Sequence, residues 1–202
     1  MSDLLILFIV LGGISIIVVF LVIGIYNKLV TLKNAFENAF SQIEVQLKRR
    51  YDLIPNLIET VKGYMKHERE TLDAVVKARQ QAVSGLQAAS GDPGNAAAIA
   101  QLAGAEGLLG GSLGRLFALA ENYPDLKANQ NMLQLQEELS STEDRVALSR
   151  QAFNNSVTEY NTYKQTFPPV IFASMFGHTN DAALLEFDSE EIKDAPKYPS
   201  SG

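Results

Sequence analysis

The 202-residue chain has no cysteine, no tryptophan and only two histidines. Without cysteine it has no thiolate nucleophile, no thiolate metal ligand and no anchor for a lipid at a cleavage site, which agrees with a reducing compartment. Neither His67 nor His178 has another His or Cys at metal-ligand spacing. His67-Glu68-Arg69-Glu70 starts like a zinc-binding helix, but Thr71 occupies the place of the second histidine. His67 is therefore read as a solvated residue near a helix junction. Ser or Thr catalysis needs a base held by a third group. Gly111-Ser112-Leu113-Gly114 follows no strand, as a nucleophile elbow would require. The glycines from Gly107 to Gly114 lack the Gly-Lys-Ser/Thr ending of a phosphate loop. Neither enzymatic activity nor a cofactor is expected. Seventeen Lys and Arg stand against 23 Asp and Glu, with no basic face for a nucleic acid to use.

What the chain does have is an uncharged apolar run from Leu4 to Tyr26, roughly 23 residues and long enough to cross the hydrocarbon core of a bilayer. A cleaved secretory signal wants a basic start and a small-residue cleavage site. Here the start is Met1-Ser2-Asp3 and the run ends in Gly24-Ile25-Tyr26. A buried core helix of this length would show a polar stripe, and only Gly12, Gly13, Ser15 and Gly24 interrupt this one. Residues 1–26 are thus expected to be a retained transmembrane anchor. Lys28 and Lys33 follow the span and no basic side chain precedes it. This places the body in the cytoplasm and the three-residue head outside.

Beyond the span, apolar residues recur at Phe36, Phe40, Ile43, Leu47, Tyr51, Ile54, Ile58, Val61 and Met65. The mean spacing is near 3.6, so an amphipathic helix continues from Asn27 to about His67. The consecutive four-residue steps fit a nearly straight helix better than a heptad zipper. Pro55 lies inside it, removes one backbone bond and crowds the carbonyl of Tyr51, so a kink is expected. A second helix is predicted from Glu68 to Gln87 on Leu72, Val75, Val76, Ala82, Val83 and Leu86. Arg79 interrupts its stripe, its stem covering apolar surface. Gly91-Asp92-Pro93-Gly94 reads as the turn that follows. Asn95 to Glu121 is rich in Ala and Gly and is expected to be the weakest helix. There Gly107 with Gly111, and Gly110 with Gly114, would permit close helix approach. After Asn122-Tyr123-Pro124-Asp125, a last helix begins between Asp125 and Asn129. It carries Met132, Leu135, Leu139, Thr142, Val146, Phe153, Val157 and Tyr160, and ends at Pro168-Pro169.

Val170 to Phe176 is too short to cross a membrane and reads as a cap on the bundle, or alternatively as an interfacial or partner-binding patch. Residues 179–202 carry six carboxylates against two lysines and are expected to be a disordered acidic tail. The organisation is then an anchor over 1–26, a helical domain over 27–178 and the tail. The fold class is all-α, an N-terminal transmembrane helix continuing into an antiparallel bundle of long helices.

Lys48-Arg49-Arg50 is the densest basic cluster. Along a straight helix it lies roughly 33 Å beyond Tyr26, well past the roughly 10 Å range of screened attraction to lipid headgroups. Pairing within the bundle, with Glu137, Glu138, Glu143 or Asp144, is the default reading.

The segments YNKLVTLKNAFENAFSQIEV (26–45), QLKRRYDLIPNLIETVKGYMKHE (46–68), ENYPDLKANQNMLQLQEELSSTEDRVALSRQAFNNSVTEYN (121–161) and FPPVIFASMFG (167–177) closely resemble the LemA family of bacterial membrane proteins. The resemblance implies an N-terminal anchor, long antiparallel helices, a cytoplasmic domain at the cell inner membrane and no enzymatic activity. It also suggests a membrane metalloprotease or another envelope protein as a partner. The polar residues of these motifs are the candidate functional positions. Asn122, Pro124 and Asp125 read as a helix boundary with Asp or Asn capping the next helix. Arg50, Asp52, Asn56, Asn131 and Asn161 read as register-fixing inter-helix bonds or as a recognition surface. Lys48, Arg49 and Phe172 complete the set. The function expected is a membrane-anchored scaffold or adaptor that contacts the lipid bilayer and self-assembles as a homo-oligomer or binds envelope proteins. The alternative is a membrane-shaping protein that packs into a lattice on the bilayer.

Overall fold

The computed structural model describes residues 2–186. Helix α1 runs unbroken from Ser2–Lys62, 61 residues, which at the helical rise is about 90 Å. It is followed by α2 (Arg69–Gly91), α3 (Ala96–Ala120), the single turn α4 (Pro124–Lys127), α5 (Gln130–Gln165), the short α6 (Pro169–Ala173) and a 3-10 turn (Ser174–Phe176). No strand occurs among the described residues. The chain is all-α, as expected.

Burial divides α1 into two parts. Its N-terminal apolar stretch is uncovered: apart from half-buried Val22, the large apolar residues from Leu4 to Ile23 are 43–70% exposed. Burial begins at Ile25 and Leu29 and then follows the 3.6-residue stripe, with Phe36, Phe40, Ile43, Leu47, Tyr51, Ile54, Ile58, Val61 and Met65 all inside. The helix stops at Lys62 rather than His67, in a turn whose amides at Tyr64 and Met65 bond back to the Val61 carbonyl.

α5 lies antiparallel on this stripe. Phe36 meets Tyr160 and Phe153 at ring-centroid distances of 5.2 and 6.3 Å, and Phe40 meets Phe153 at 5.5 Å. The α2–α3 hairpin folds back on the same helix, its turn reaching Phe36 at Gly94. The chain thus runs up, down, up and down along one axis. The N-termini of the two long later helices are capped by Asn side chains. Asn95 Oδ1 accepts from Ala97 and Ala98, and Asn129 Oδ1 from Asn131 and Met132. The capping role assigned to Asn122 or Asp125 therefore belongs to Asn129, because Pro124 opens the separate turn α4.

The Ala/Gly segment is a regular 25-residue helix, held by Ile99, Leu102, Leu109, Leu113 and Leu116 in the core. Its glycines do not serve close packing: Gly104, Gly107, Gly110, Gly111 and Gly114 have nothing within 4 Å of a Cβ position. The close approach is made by Gly85 of α2, where a Cβ would meet the Leu102 Cα at 3.2 Å. Val76, placed on the apolar face of α2 by spacing, is instead 45% exposed, and Ala78 and Gly85 are buried.

The acidic tail is corrected in its first part. Residues 179–186 form a strap along α5, with Ala182 and Leu185 buried and their backbones held by Asn161 and Asn154. Apolar Ala182 to Leu185 supplies the burial that the charge count concealed. Residues 187–202 lie outside the described residues.

Unfolding of the full-length protein in detergent separates the two kinds of glycine. Gly107→Ala should stabilise by about 0.5–1 kcal/mol. Gly85→Leu should cost about 1–3 kcal/mol by forcing α2 and α3 apart.

Candidate functional site

One group of buried polar side chains lies in the middle of the bundle. Arg50 on α1 and Glu106 on α3 form an ion pair at 2.9 Å, with side chains 9% and 2% exposed. Tyr51 completes the pair, donating its hydroxyl to the other Glu106 oxygen at 2.5 Å. Burial raises the Glu106 carboxyl above its ordinary value, while the Arg50 guanidinium and the Tyr51 hydrogen bond oppose that rise. Burial and the Glu106 charge push Tyr51 far up, so it stays a protonated donor. Every strong partner is thus inside the cluster, and the cluster ties α1 to α3.

Arg79 acts one turn away. Pro55 has no amide hydrogen, so the Tyr51 carbonyl loses its helical donor. The Arg79 Nε takes that place at 2.7 Å. The residue that interrupts the apolar stripe of α2 is the donor that α1 lacks, and the helix passes through Pro55 without a break.

A second polar group fastens the strap. His178 is buried, with Nδ1 2.7 Å from the Tyr160 hydroxyl. Lys164 is 6% exposed and reaches Asp181 at 2.6 Å and the Asn180 carbonyl at 2.5 Å. Burial, then Lys33 and Lys164, hold the imidazole below its usual value.

The candidate residues separate into two sets. Arg50 and Asn161 make tertiary contacts, Arg50 between helices and Asn161 to the strap. Lys48, Arg49, Asp52, Asn56 and Asn131 are exposed. Lys48 pairs with Glu44 on its own helix at 2.5 Å, an exposed pair of little energetic worth. The partners expected for the basic cluster on α5 are thus replaced by Glu106 and Glu44, because Arg50 points to the α2–α3 side of α1. Glu106 was missed at the sequence level, although it is the only carboxylate within Ala96–Ala120. Phe172 is half-buried and stacks on Phe176 at 6.5 Å, and Phe176 meets Tyr26 edge-on at 5.2 Å. One face of this segment covers the end of the bundle and the other is exposed. Pro169 and Ala173 face inward, while Val170, Ile171 and Met175 are 50%, 54% and 75% exposed.

No group of three or more His, Cys, Asp or Glu among the described residues is arranged to hold a metal ion. The buried cluster is a closed ion pair with a hydrogen-bonded tyrosine, chemistry suited to fixing helix register.

A long apolar helix extended into a four-helix bundle, with polar groups spent on internal ties, defines a class of helical proteins built on one uncovered apolar segment. The profile of the LemA family matches residues 39–198, and the chain belongs to that family. It is 28% identical to magnetosome protein MamQ of Magnetospirillum gryphiswaldense over 71% of this chain and 58% of that protein. It is 29% identical to protein LemA of Metamycoplasma hominis over 73% of this chain and 63% of that one. Magnetosome protein MamQ 2 of Paramagnetospirillum magneticum is 27% identical over 67% and 56% respectively. The chain spans less than two thirds of the length of these relatives.

Two measurements check the roles of these groups. Arg50→Met should cost about 3–5 kcal/mol by leaving Glu106 buried without its cation, and adding Glu106→Gln should restore much of that loss. For His178 the folded value lies below the unfolded one, so its contribution is full above 6.5 and is lost as pH falls through the lowered folded value. Below 6.5 the wild-type melting temperature should therefore fall more steeply than that of His178→Asn, whose carbonyl can still accept from Tyr160.

Proposed function

We propose that this protein is a non-catalytic, single-span membrane scaffold whose bundle stands on the bilayer and acts by self-association or by binding other envelope proteins. The observation that carries the reading is the uncovered apolar stretch of α1, none of whose residues from Leu4 to Gly24 is buried. Leaving that much apolar surface in water is unfavourable by about 25 cal/mol for each Å², and lipid removes the cost. Because the same helix is the spine of the bundle, the body is carried rigidly on its anchor.

Lys28 and Lys33 support a cytoplasmic body, with the N-terminus outside the inner membrane. Exposed Lys48, Arg49, Asp52 and Asn56 lie along one stretch of α1 and Asn131 opens α5. These positions are the recognition surface of this reading, for a second copy or for an envelope partner such as a membrane metalloprotease. A lattice that shapes the membrane is the same self-association repeated over the bilayer.

The absence of cysteine makes one test clean. Lys48→Cys, introduced into the full-length protein in cells, should be labelled by an impermeant thiol reagent only after the membrane is opened. Photocrosslinkers at Lys48, Asn131 and Phe172 should capture a second copy or one defined envelope protein. A protein recovered in the aqueous fraction, or one that stays monomeric and yields no specific adduct, would overturn the scaffold reading.

A further inference from the structure

We infer that the uncharged segment from Phe167 to Gly177 is a second lipid contact, lying in the headgroup and acyl boundary beside the base of the α1 span. This inference rests on the membrane reading proposed above. Its own support is placement and exposure.

α5 descends antiparallel to α1, so its end at Gln165 arrives at the level where the span gives way to the bundle. The Tyr26–Phe176 ring contact at 5.2 Å fixes that level directly, since Tyr26 is the last residue of the apolar run. From Phe167 to Gly177 no side chain is charged. One face, with Pro169 and Ala173, is buried against the bundle. The other leaves Phe167 79%, Val170 50%, Ile171 54% and Met175 75% exposed.

Elsewhere on the body the large exposed apolar side chains, such as Val45, Leu108, Leu133 and Leu148, are scattered singly, which is ordinary for a water-facing surface. Here four are gathered within nine residues of chain, on a short element whose opposite face is also apolar. A cap exposed to water needs only the inner face. A segment that rests at a bilayer boundary needs both, with its outer face sunk roughly 5–10 Å. Tyr26, 46% exposed at the same level, has the amphipathic ring favoured at that depth. Lys28, two residues further on, is half-exposed and pairs with exposed Glu159 at 3.7 Å, a surface pair weak enough to yield the cation to a headgroup phosphate. A lone helix would let the bundle swivel about the span, and a second contact on the α5 side sets which flank faces the lipid.

The chain has no tryptophan, so a single introduced Trp reports one place. Full-length Met175→Trp, Ile171→Trp, Phe20→Trp and Leu148→Trp proteins would each be reconstituted into phosphatidylcholine–phosphatidylglycerol vesicles. A fraction of the lipid would be brominated on the acyl carbons nearest the headgroup. Met175→Trp and Ile171→Trp should emit at shorter wavelength and lose about half their emission to the bromolipid. Phe20→Trp should also be quenched, and Leu148→Trp should not. If Phe20→Trp is quenched while both segment probes are not, the lipid contact is overturned and the anchor stands. A blue shift at the segment probes without bromolipid quenching would mean that protein covers them, which also overturns it. Absence of quenching at Phe20→Trp overturns the anchor and the lipid contact together.

Discussion

The continuity of α1 is the constraint on which the rest of the structure depends. One hydrogen-bonded rod supplies an apolar cylinder to its first third and a one-sided stripe to the remainder; α2 and α5 pack on that stripe and α3 packs on α2. The change from all-round to one-sided hydrophobicity at Ile25 marks where one environment ends and the other begins. Were the rod broken near that level, the uncovered stretch and the bundle would be joined by a hinge. Unbroken, it makes any orientation imposed on the uncovered stretch an orientation of the body as well.

Pro55 is the place where this continuity is most exposed to failure. A proline inside a helix costs about 3 kcal/mol through a lost bond and a crowded carbonyl. Here the freed Tyr51 carbonyl receives Arg79 from the neighbouring helix, while the Tyr51 hydroxyl and Arg50 engage Glu106. The defect in one helix thereby becomes a point of attachment for two others. A buried ion pair is weak evidence of stability taken alone, but it discriminates strongly between registers. A bundle of Leu and Ala faces has few other means of doing so.

The spine, the final helix and their apolar faces were legible because repeated spacing over many turns outweighs local propensity. What was not legible depended on pairing across the fold. The basic cluster and its motif marked Arg50 as a candidate for fixing register but did not reveal its partner, since Glu106 stands 56 residues away among alanines and glycines. Composition suggested that those glycines were packing sites, yet it is Gly85 that meets the α3 backbone, and only the hairpin geometry tells it from Gly107. The strap failed for a related reason. Net charge averages over the tail, while burial was decided by Ala182 and Leu185, and by two asparagines on α5 that pair their backbones as a neighbouring strand would.

Register in the middle of the bundle has a consequence at its end. The Arg50–Glu106 pair and the Arg79 contact fix the heights of α2 and α3 on α1, and the Phe36, Phe40, Phe153 and Tyr160 rings fix that of α5. A slip of α5 by one turn would shift its lower end by about 5.4 Å. That shift would carry Phe176 away from Tyr26 and move the uncharged segment off the level of the span. An aromatic contact at the base therefore depends on ring packing about three to four turns above it, and a side-chain substitution at Phe36 or Phe153 would act on the uncharged segment without touching it.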